Sequence, residues 1–361
     1  MTRRTAVTHR RVTTLGMSVL AAVLVGSLAA CGGSAKGSTA TGSGSSLRGQ
    51  TIVLYSAQHP QTTDAMVAAF EQQTGIHVRI DANDEDVLTA QLEKEGSRSP
   101  ADVFYTENSN WLQQLADRGM LAKVDSGTLA QVPKADSAAD GDWVGVSARI
   151  SAMIYNPKKI SEAQLPKSIM DMADPRYKGK IEIAPAETDF WPIVASVDRA
   201  KGSAATLAWL KGLRANAGSN DNVPDNETLT SDVSQGITDF AVINHYYYYR
   251  LKAVVSGGTG NAKLAYFAPH DPGFVKAISG AAVLKSSKHQ AAAQELLNFM
   301  TSKSGQEVLE AGESFEYPVK PGIPANPALP PISSYEPNAF SPADLGTGLQ
   351  AKDLLQRAGL I

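Results

Sequence analysis

The feature that most constrains this chain is an alternation, near its start, of short apolar runs with longer amphipathic ones. Thr51 to Ser56 (TIVLYS) reads as a buried strand, followed by a helix from about Thr62 to Gln73 with Met66, Val67 and Phe70 at helical spacing. Ile76 to Ile80 alternates as a second strand, and Val87 to Glu95 reads as a helix stopped at Gly96. Ala101 to Tyr105 is a third strand, with Trp111 to Arg118 as its helix. Three β-α units in this order predict a parallel, doubly wound α/β sheet. Open sheets of this kind place ligands at strand-to-helix corners. His59, just past the first strand, and Glu107, just past the third, both occupy such corners.

The second half continues the pattern less regularly. Pro133 to Asp142 is polar and irregular, and Trp143 to Ser147 followed by Ala152 to Asn156 read as two strands leading into a second α/β region. Lys180 to Ala184 reads as a strand and Phe190 to Arg199 as a helix with Pro192 in its first turn. Ala204 to Arg214 and Leu229 to Gln235 are further helices. Phe240 to Asn244 is a buried strand that empties into His245, four consecutive tyrosines (Tyr246 to Tyr249) and Arg250, which open a helix. Beyond it come Lys263 to Phe267, a turn at Asp271-Pro272-Gly273 and the small-residue run Ser279 to Leu284. Helices at Ala291 to Met300 and Gly305 to Ala311, a Pro-rich irregular stretch over Pro318 to Pro331, and a closing helix at Ala351 to Ala358 complete the chain. No internal repeat is visible.

The N-terminus reads as an address. Arg3, Arg4, Arg10 and Arg11 form a basic region, and Leu15 to Ala30 an apolar one too short for an ordinary membrane span. It ends in Leu28-Ala29-Ala30-Cys31, the pattern of a bacterial lipoprotein signal, so residues 1–31 are expected to be a signal peptide ending at a lipidated Cys31. Cys31 is the sole cysteine, which excludes an internal disulfide, a thiolate metal site and a cysteine nucleophile from the mature domain. Residues 32–49, rich in Gly, Ser, Thr and Ala, read as a flexible tether to a membrane surface. Removing residues 1–30, with four arginines and no acids, takes the net charge from −3 to −7. So acidic a chain, without a basic run, is unsuited to nucleic acid.

His59, Glu107, Tyr246 and Tyr247 supply one imidazole, one carboxylate and two phenols, each at a strand-to-helix transition. Taken singly, each has a plainer explanation: a loop histidine at a helix start, an acid in a first helical turn, and tyrosines packed with their hydroxyls toward water. If they converge, two phenolates and a carboxylate balance a trivalent hard cation, which favours Fe(III) over a divalent or thiophilic ion. A phenol with a pKa near 10 yields its proton only to such an ion.

Several runs carry a resemblance to a known family: YSAQHPQTTDAMVAAFEQQTGIHV, SPADVFYTENSNWLQQLADRGML, WVGVSAR with IYNPKKI, ADPRYKGKI, FAVINHYYYYR, and HDPG…ISGAAVLKSSKHQAAAQELLNFMTSKSGQEVL. Over about residues 51 to 331 the chain resembles the periplasmic ferric-ion-binding proteins of ABC iron importers. The resemblance implies that His59, Glu107, Tyr246 and Tyr247 are the iron ligands, with a synergistic anion completing the coordination against Gln58, Asn226 and Asn244. One departure is the loop Pro185-Ala186-Glu187-Thr188-Asp189, where several family members carry a small hydroxyl residue. Glu187 there is expected either to point away or to replace the anion in part. Tyr248 and Tyr249 carry no implied role beyond packing.

The same resemblance implies a type II periplasmic binding protein fold, with two α/β lobes, each a mixed, mostly parallel sheet flanked by helices, joined by crossing hinge strands. The first lobe would hold residues 50–149 plus about 277–327, and the second 150–276 plus about 328–361. Iron would bind the open form and stabilise closure, and the closed form would be received by an ABC permease with its ATPase. The protein would act as a lipid-anchored monomer on the extracytoplasmic face. A rival reading keeps the architecture and changes the solute to a polyamine, a phosphonate or another small anion. A secreted hydrolase is disfavoured: Gly145-Val146-Ser147-Ala148-Arg149 lacks the last glycine of a nucleophile elbow, and neither H-E-x-x-H nor a glycine-rich phosphate loop occurs. A purely structural surface lipoprotein leaves the four donors unexplained.

Overall fold

The protein is described here by a computed structural model covering residues 47–254 and 258–361; the signal segment, Cys31 and most of the tether lie outside these residues. The first strand, β1 (Thr51–Ala57), leads through His59 into α1 (Pro60–Thr74), whose Pro60 fits a first-turn position where no N–H is needed. There follow β2 (His77–Ala82), α2 (Glu85–Glu95), β3 (Val103–Thr106), α3 (Ser109–Asp117) and the short α4 (Ser126–Leu129). A long strand, β4 (Val144–Tyr155), then precedes α5 (Trp191–Lys201), α6 (Ser203–Ala217) and α7 (Asn226–Gln235). The chain continues with β5 (Phe240–Asn244), α8 (His245–Val254), β6 (Lys263–Ala265), β7 (Lys276–Val283), α9 (Gln290–Thr301) and α10 (Lys303–Ala311). It closes with β8 (Tyr317–Pro318), α11 (Pro342–Leu345) and α12 (Leu349–Ala358).

The strands run in the order β2-β1-β3-β7-β4-β5, with β6 and β8 also on β4. β1 pairs in parallel with β2 and β3, as the three β-α units predict. Every pairing of β7 and β4 is antiparallel, so the sheet as a whole is mixed.

Two local expectations are corrected. The strands expected at Trp143 to Ser147 and Ala152 to Asn156 are one continuous strand, buried along its whole length. Ser147, Arg149 and Ser151 suggest a break because they are polar. Inside the fold each is satisfied: Ser147 Oγ lies 2.7 Å from Ser279 Oγ, Ser151 Oγ donates to the Gly273 carbonyl at 2.6 Å, and Arg149 pairs with carboxylates. Lys180 to Ala184 is not a strand; Ile181 makes a single parallel bridge to Phe240. Its alternation of buried Ile181 and Ile183 is real, but Ile183 bonds instead to the turn at Asn220 and Val223.

The paired residues Gly145 of β4 and Gly280 of β7 both face backbone at close range. A Cβ on Gly145 would stand 2.1 Å from the Asp136 carbonyl, and one on Gly280 would stand 2.8 Å from that of Val144. Strand β4 thus pairs through its first half with β7 and β8, and through its second with β5 and β6. It ties the two sheet regions together, with Arg149 near its middle.

Candidate metal centre

Each donor is set by the end of a strand. His59 is the residue before α1, and its backbone N–H donates to the Gln58 Oε1 at 2.8 Å. Glu107 follows β3, and its carbonyl accepts from the Arg149 guanidinium. Tyr246 and Tyr247 occupy the first turn of α8, which leaves β5 without a connecting loop. The start of α8 is pinned by His245, whose Nδ1 accepts the Ile150 N–H at 3.2 Å and whose ring stacks on Tyr317 at 4.9 Å.

The four side chains meet. His59 Nε2 lies 3.1 Å from Glu107 Oε1 and 3.3 Å from the Tyr246 hydroxyl. The Tyr246 hydroxyl is also 3.1 Å from Glu107 Oε2, and the Tyr246 and Tyr247 rings are 4.3 Å apart. A fifth group completes them. Asp189 Oδ2 accepts from both phenols, at 2.8 Å from Tyr246 and 2.9 Å from Tyr247. Its Oδ1 accepts from Arg149 Nη2 at 3.0 Å and from the Asn108 amide at 3.1 Å. Sequence reasoning quotes this residue only as part of an unusual loop. The signal available was position: Asp189 lies just ahead of α5, a helix-start site like those of His59 and Glu107.

The protons here are fewer than the acceptors. The Tyr246 hydroxyl has one proton to give and faces two carboxylates and an imidazole nitrogen. Burial and the neighbouring Asp189 push the Glu107 carboxyl well up, which favours its protonated form. Burial, with Arg250 adding to it, brings His59 down to about 3 and keeps the imidazole neutral. Burial opposes ionisation of Asp189 too, but Arg149 and the hydrogen bonds from Tyr246 and Asn108 outweigh it and hold the carboxyl at about 2. Burial, Asp189 and Glu107 push both phenols up, so they stay protonated at any ordinary pH without an ion.

This is a donor cage held together by shared protons. Donor atoms spaced 2.8 to 3.3 Å apart match neighbouring corners of an octahedron with bonds of about 2.1 Å, whose edges are about 3 Å. Among the described residues no group of three or more His, Cys, Asp or Glu is by itself arranged to hold a metal. The phenol oxygens of Tyr246 and Tyr247 stand beside the His59, Glu107 and Asp189 donors at this place.

The four residues expected around an anion are divided. Gln58 is buried at the wall of the open cleft; its amide N donates to Ser279 Oγ at 3.2 Å and to Glu316 at 3.3 Å, and its Oε1 accepts from the His59 N–H at 2.8 Å. Asn226 and Asn244 line a cavity of about 10 Å³ beside Asp189, room for about one water. Glu187 lines the open cleft of about 630 Å³ together with His59, Glu107, Asp189 and Tyr247. Burial, then Asp189, Glu227, Asp225 and Asp84, push the Glu187 carboxyl up to about 8. That cleft is also lined by Asp84, Asp86 and Glu227 and by no lysine or arginine among the described residues.

Three comparisons bear on this geometry. The profile of the family described as "Bacterial extracellular solute-binding protein" matches residues 98–344. The chain is 40% identical over 312 residues to the Fe(3+)-binding periplasmic protein of Serratia marcescens, covering 86% of this chain and 91% of that one. It is 34% identical over 311 residues to the major ferric iron-binding protein of Neisseria meningitidis serogroup B, covering 86% and 93%. The crystal structure of iron-bound HitA from Pseudomonas aeruginosa superposes with a TM-score of 0.82 at 42% identity, covering 86% of this chain and 99% of that one.

Proposed function

The chain belongs to the bacterial extracellular solute-binding proteins, and within them to the ferric-ion-binding proteins; from that premise we propose how it holds and delivers its cargo. Its fold is that of the type II periplasmic binding proteins, and it is a binding protein rather than an enzyme. It is the extracytoplasmic ferric-iron-binding component of an importer.

The ion is held by His59 Nε2, Glu107, Tyr246, Tyr247 and Asp189. The observation that carries this is the meeting of both phenol oxygens on Asp189 Oδ2 while Tyr246 also reaches His59 and Glu107. On binding, the ion takes the place of the shared protons, and the neutral imidazole is already in its ligating form. Asp189 supplies from the chain the negative oxygen that an added anion would otherwise bring. That leaves Gln58, Asn226, Asn244 and Glu187 as surroundings of the donors. The acid-lined cleft, without lysine or arginine among the described residues, disfavours a phosphonate or another anion as the solute. A polyamine would meet the carboxylates and leave the phenols idle.

His59 and Glu107 belong to a first lobe (50–149 plus about 277–327). Asp189 and the tyrosines belong to a second (150–276 plus about 328–361), with β4 and β7 as the crossing strands. Ligands from both lobes are satisfied together only when the cleft is shut, so iron favours the closed form that a membrane permease with its ATPase receives. A monomer held by lipid on Cys31 would present this form at the membrane. Exchange of Cys31 for serine should move the protein from the membrane fraction to the soluble one.

A ferric titration followed by absorbance tests the site. The expected result is a visible phenolate-to-iron band that is present without added phosphate or carbonate and is lost in the Tyr246→Phe, Tyr247→Phe double variant. A colourless wild-type protein at saturating ferric ion would sink the reading.

A further inference from the structure

Arg250 ends the tyrosine run one helical turn beyond Tyr246, on the same face of α8. Its guanidinium carbon lies 4.4 Å from the centre of the Tyr246 ring. Its Nε, Nη1 and Nη2 are all buried, and among the described residues none has a hydrogen-bond partner. A guanidinium with its donors unmet inside a protein costs stability, so a cation kept in this state calls for a charge it can answer.

The other guanidinium at the site is already engaged. Arg149 donates to Asp189, to the Asn108 side chain and to the Glu107 carbonyl, and lies 3.8 Å from Glu316. Arg149 answers the charge of Asp189, so the positive charge that faces the Tyr246 ring itself is that of Arg250. While Tyr246 keeps its proton, Arg250 lies over a neutral ring, with the Glu227 and Glu316 carboxylates near enough to feel its charge but without a hydrogen bond to it among the described residues. Once an ion displaces that proton, the same ring carries a full negative charge directly beneath the guanidinium.

Resting on the ferric reading of the site, we propose that Arg250 is a positioning residue for iron capture, its unpaired guanidinium serving as the counter-charge of the Tyr246 phenolate in the loaded protein. It touches the ring and not the ion, so it acts on iron only through Tyr246. The helix sets the spacing: four residues on from Tyr246, Arg250 rises from the same face and its stem reaches back over the ring.

The test compares Arg250→Gln and Arg250→Lys in the full-length protein loaded with ferric ion, by absorbance and by competition with a chelator. With glutamine the phenolate is less stabilised, so the band should move to longer wavelength and iron affinity should fall about tenfold. With lysine the charge remains, so the band should stay near its wild-type position and most of the affinity should return. A purely structural role would alter melting of the metal-free protein and leave the band in place. If Arg250→Gln does not fold, Arg250→Met keeps the stem over the ring and allows the same comparison. An unmoved band and unchanged affinity in the neutral variant, or equal losses with lysine and glutamine, would overturn the proposal. A wild-type protein with no band removes the iron reading and this one together, whereas a wild-type band indifferent to residue 250 removes only this one.

Discussion

Asp189 shows what a single residue contributes that its neighbours in sequence do not disclose. It and Glu187 are acids of one short loop, yet Asp189 is pinned by Arg149 and takes both phenols while Glu187 lines the open cleft. Exchange of Asp189 for asparagine keeps the shape and removes the charge. Iron affinity should then fall roughly tenfold to a hundredfold and become sensitive to added phosphate or carbonate, as a chelator competition would measure. Arg149 is fully buried among Asp189, Glu316 and the Glu107 carbonyl. Truncating it to alanine strands those carboxylates, and urea unfolding should record a loss of about 3–5 kcal/mol. For Glu187 the sign follows from a carboxyl raised to about 8 in the folded protein from an ordinary value of 4.5. The folded state binds the extra proton between these values, so stability present below about pH 4.5 is lost as the pH rises to about 8. Glu187→Gln should therefore raise the melting temperature of the metal-free protein at pH 8.5 and leave it nearly unchanged at pH 4. His59, Glu107, Tyr246 and Tyr247 were legible because their residue types are unusual together. Asp189 was not, because an aspartate before a helix has an ordinary local explanation.

At the scale of elements, most strands and helices follow from apolar spacing, and the departures have a common cause. β4 reads as two strands because Arg149 and two serines interrupt its apolar run, and it is one strand because those polar groups find partners inside. Ile181 and Ile183 read as part of a strand because they alternate, yet Ile181 makes only a single bridge to the first residue of β5 and Ile183 bonds to a turn. Pairing partners lie far away along the chain, so period alone cannot supply them. The packing of β4 against the Asp136 segment depends on bare backbone at Gly145, which keeps an ordinary φ, so its requirement is steric and not conformational. Gly145→Ala should cost about 1–3 kcal/mol in urea unfolding through displacement of the Asp136 segment. The same substitution at Gly127, where a Cβ would meet open space, serves as the control.

For the whole molecule the consequence is a coupling between cargo and shape. A ligand that binds only the folded, closed form stabilises it by about 2.7 kcal/mol at a hundred times its dissociation constant. Ferric ion should therefore raise the melting temperature and reduce the radius of gyration in solution scattering, and the Tyr246→Phe, Tyr247→Phe variant should show neither change. The sequence by itself determined the β-α order and placed His59, Glu107, Tyr246 and Tyr247 at strand-to-helix corners, because spacing along the chain decides which face or strand end a residue occupies. Only the tertiary structure decided that Asp189 joins them, that Arg149 is spent on holding it, and that Arg250 is left over the Tyr246 ring with no partner of its own. Those outcomes depend on charges from distant segments being brought within about 3 Å in a site shielded from water, where burial and neighbouring charge, and not residue type, set protonation and pairing.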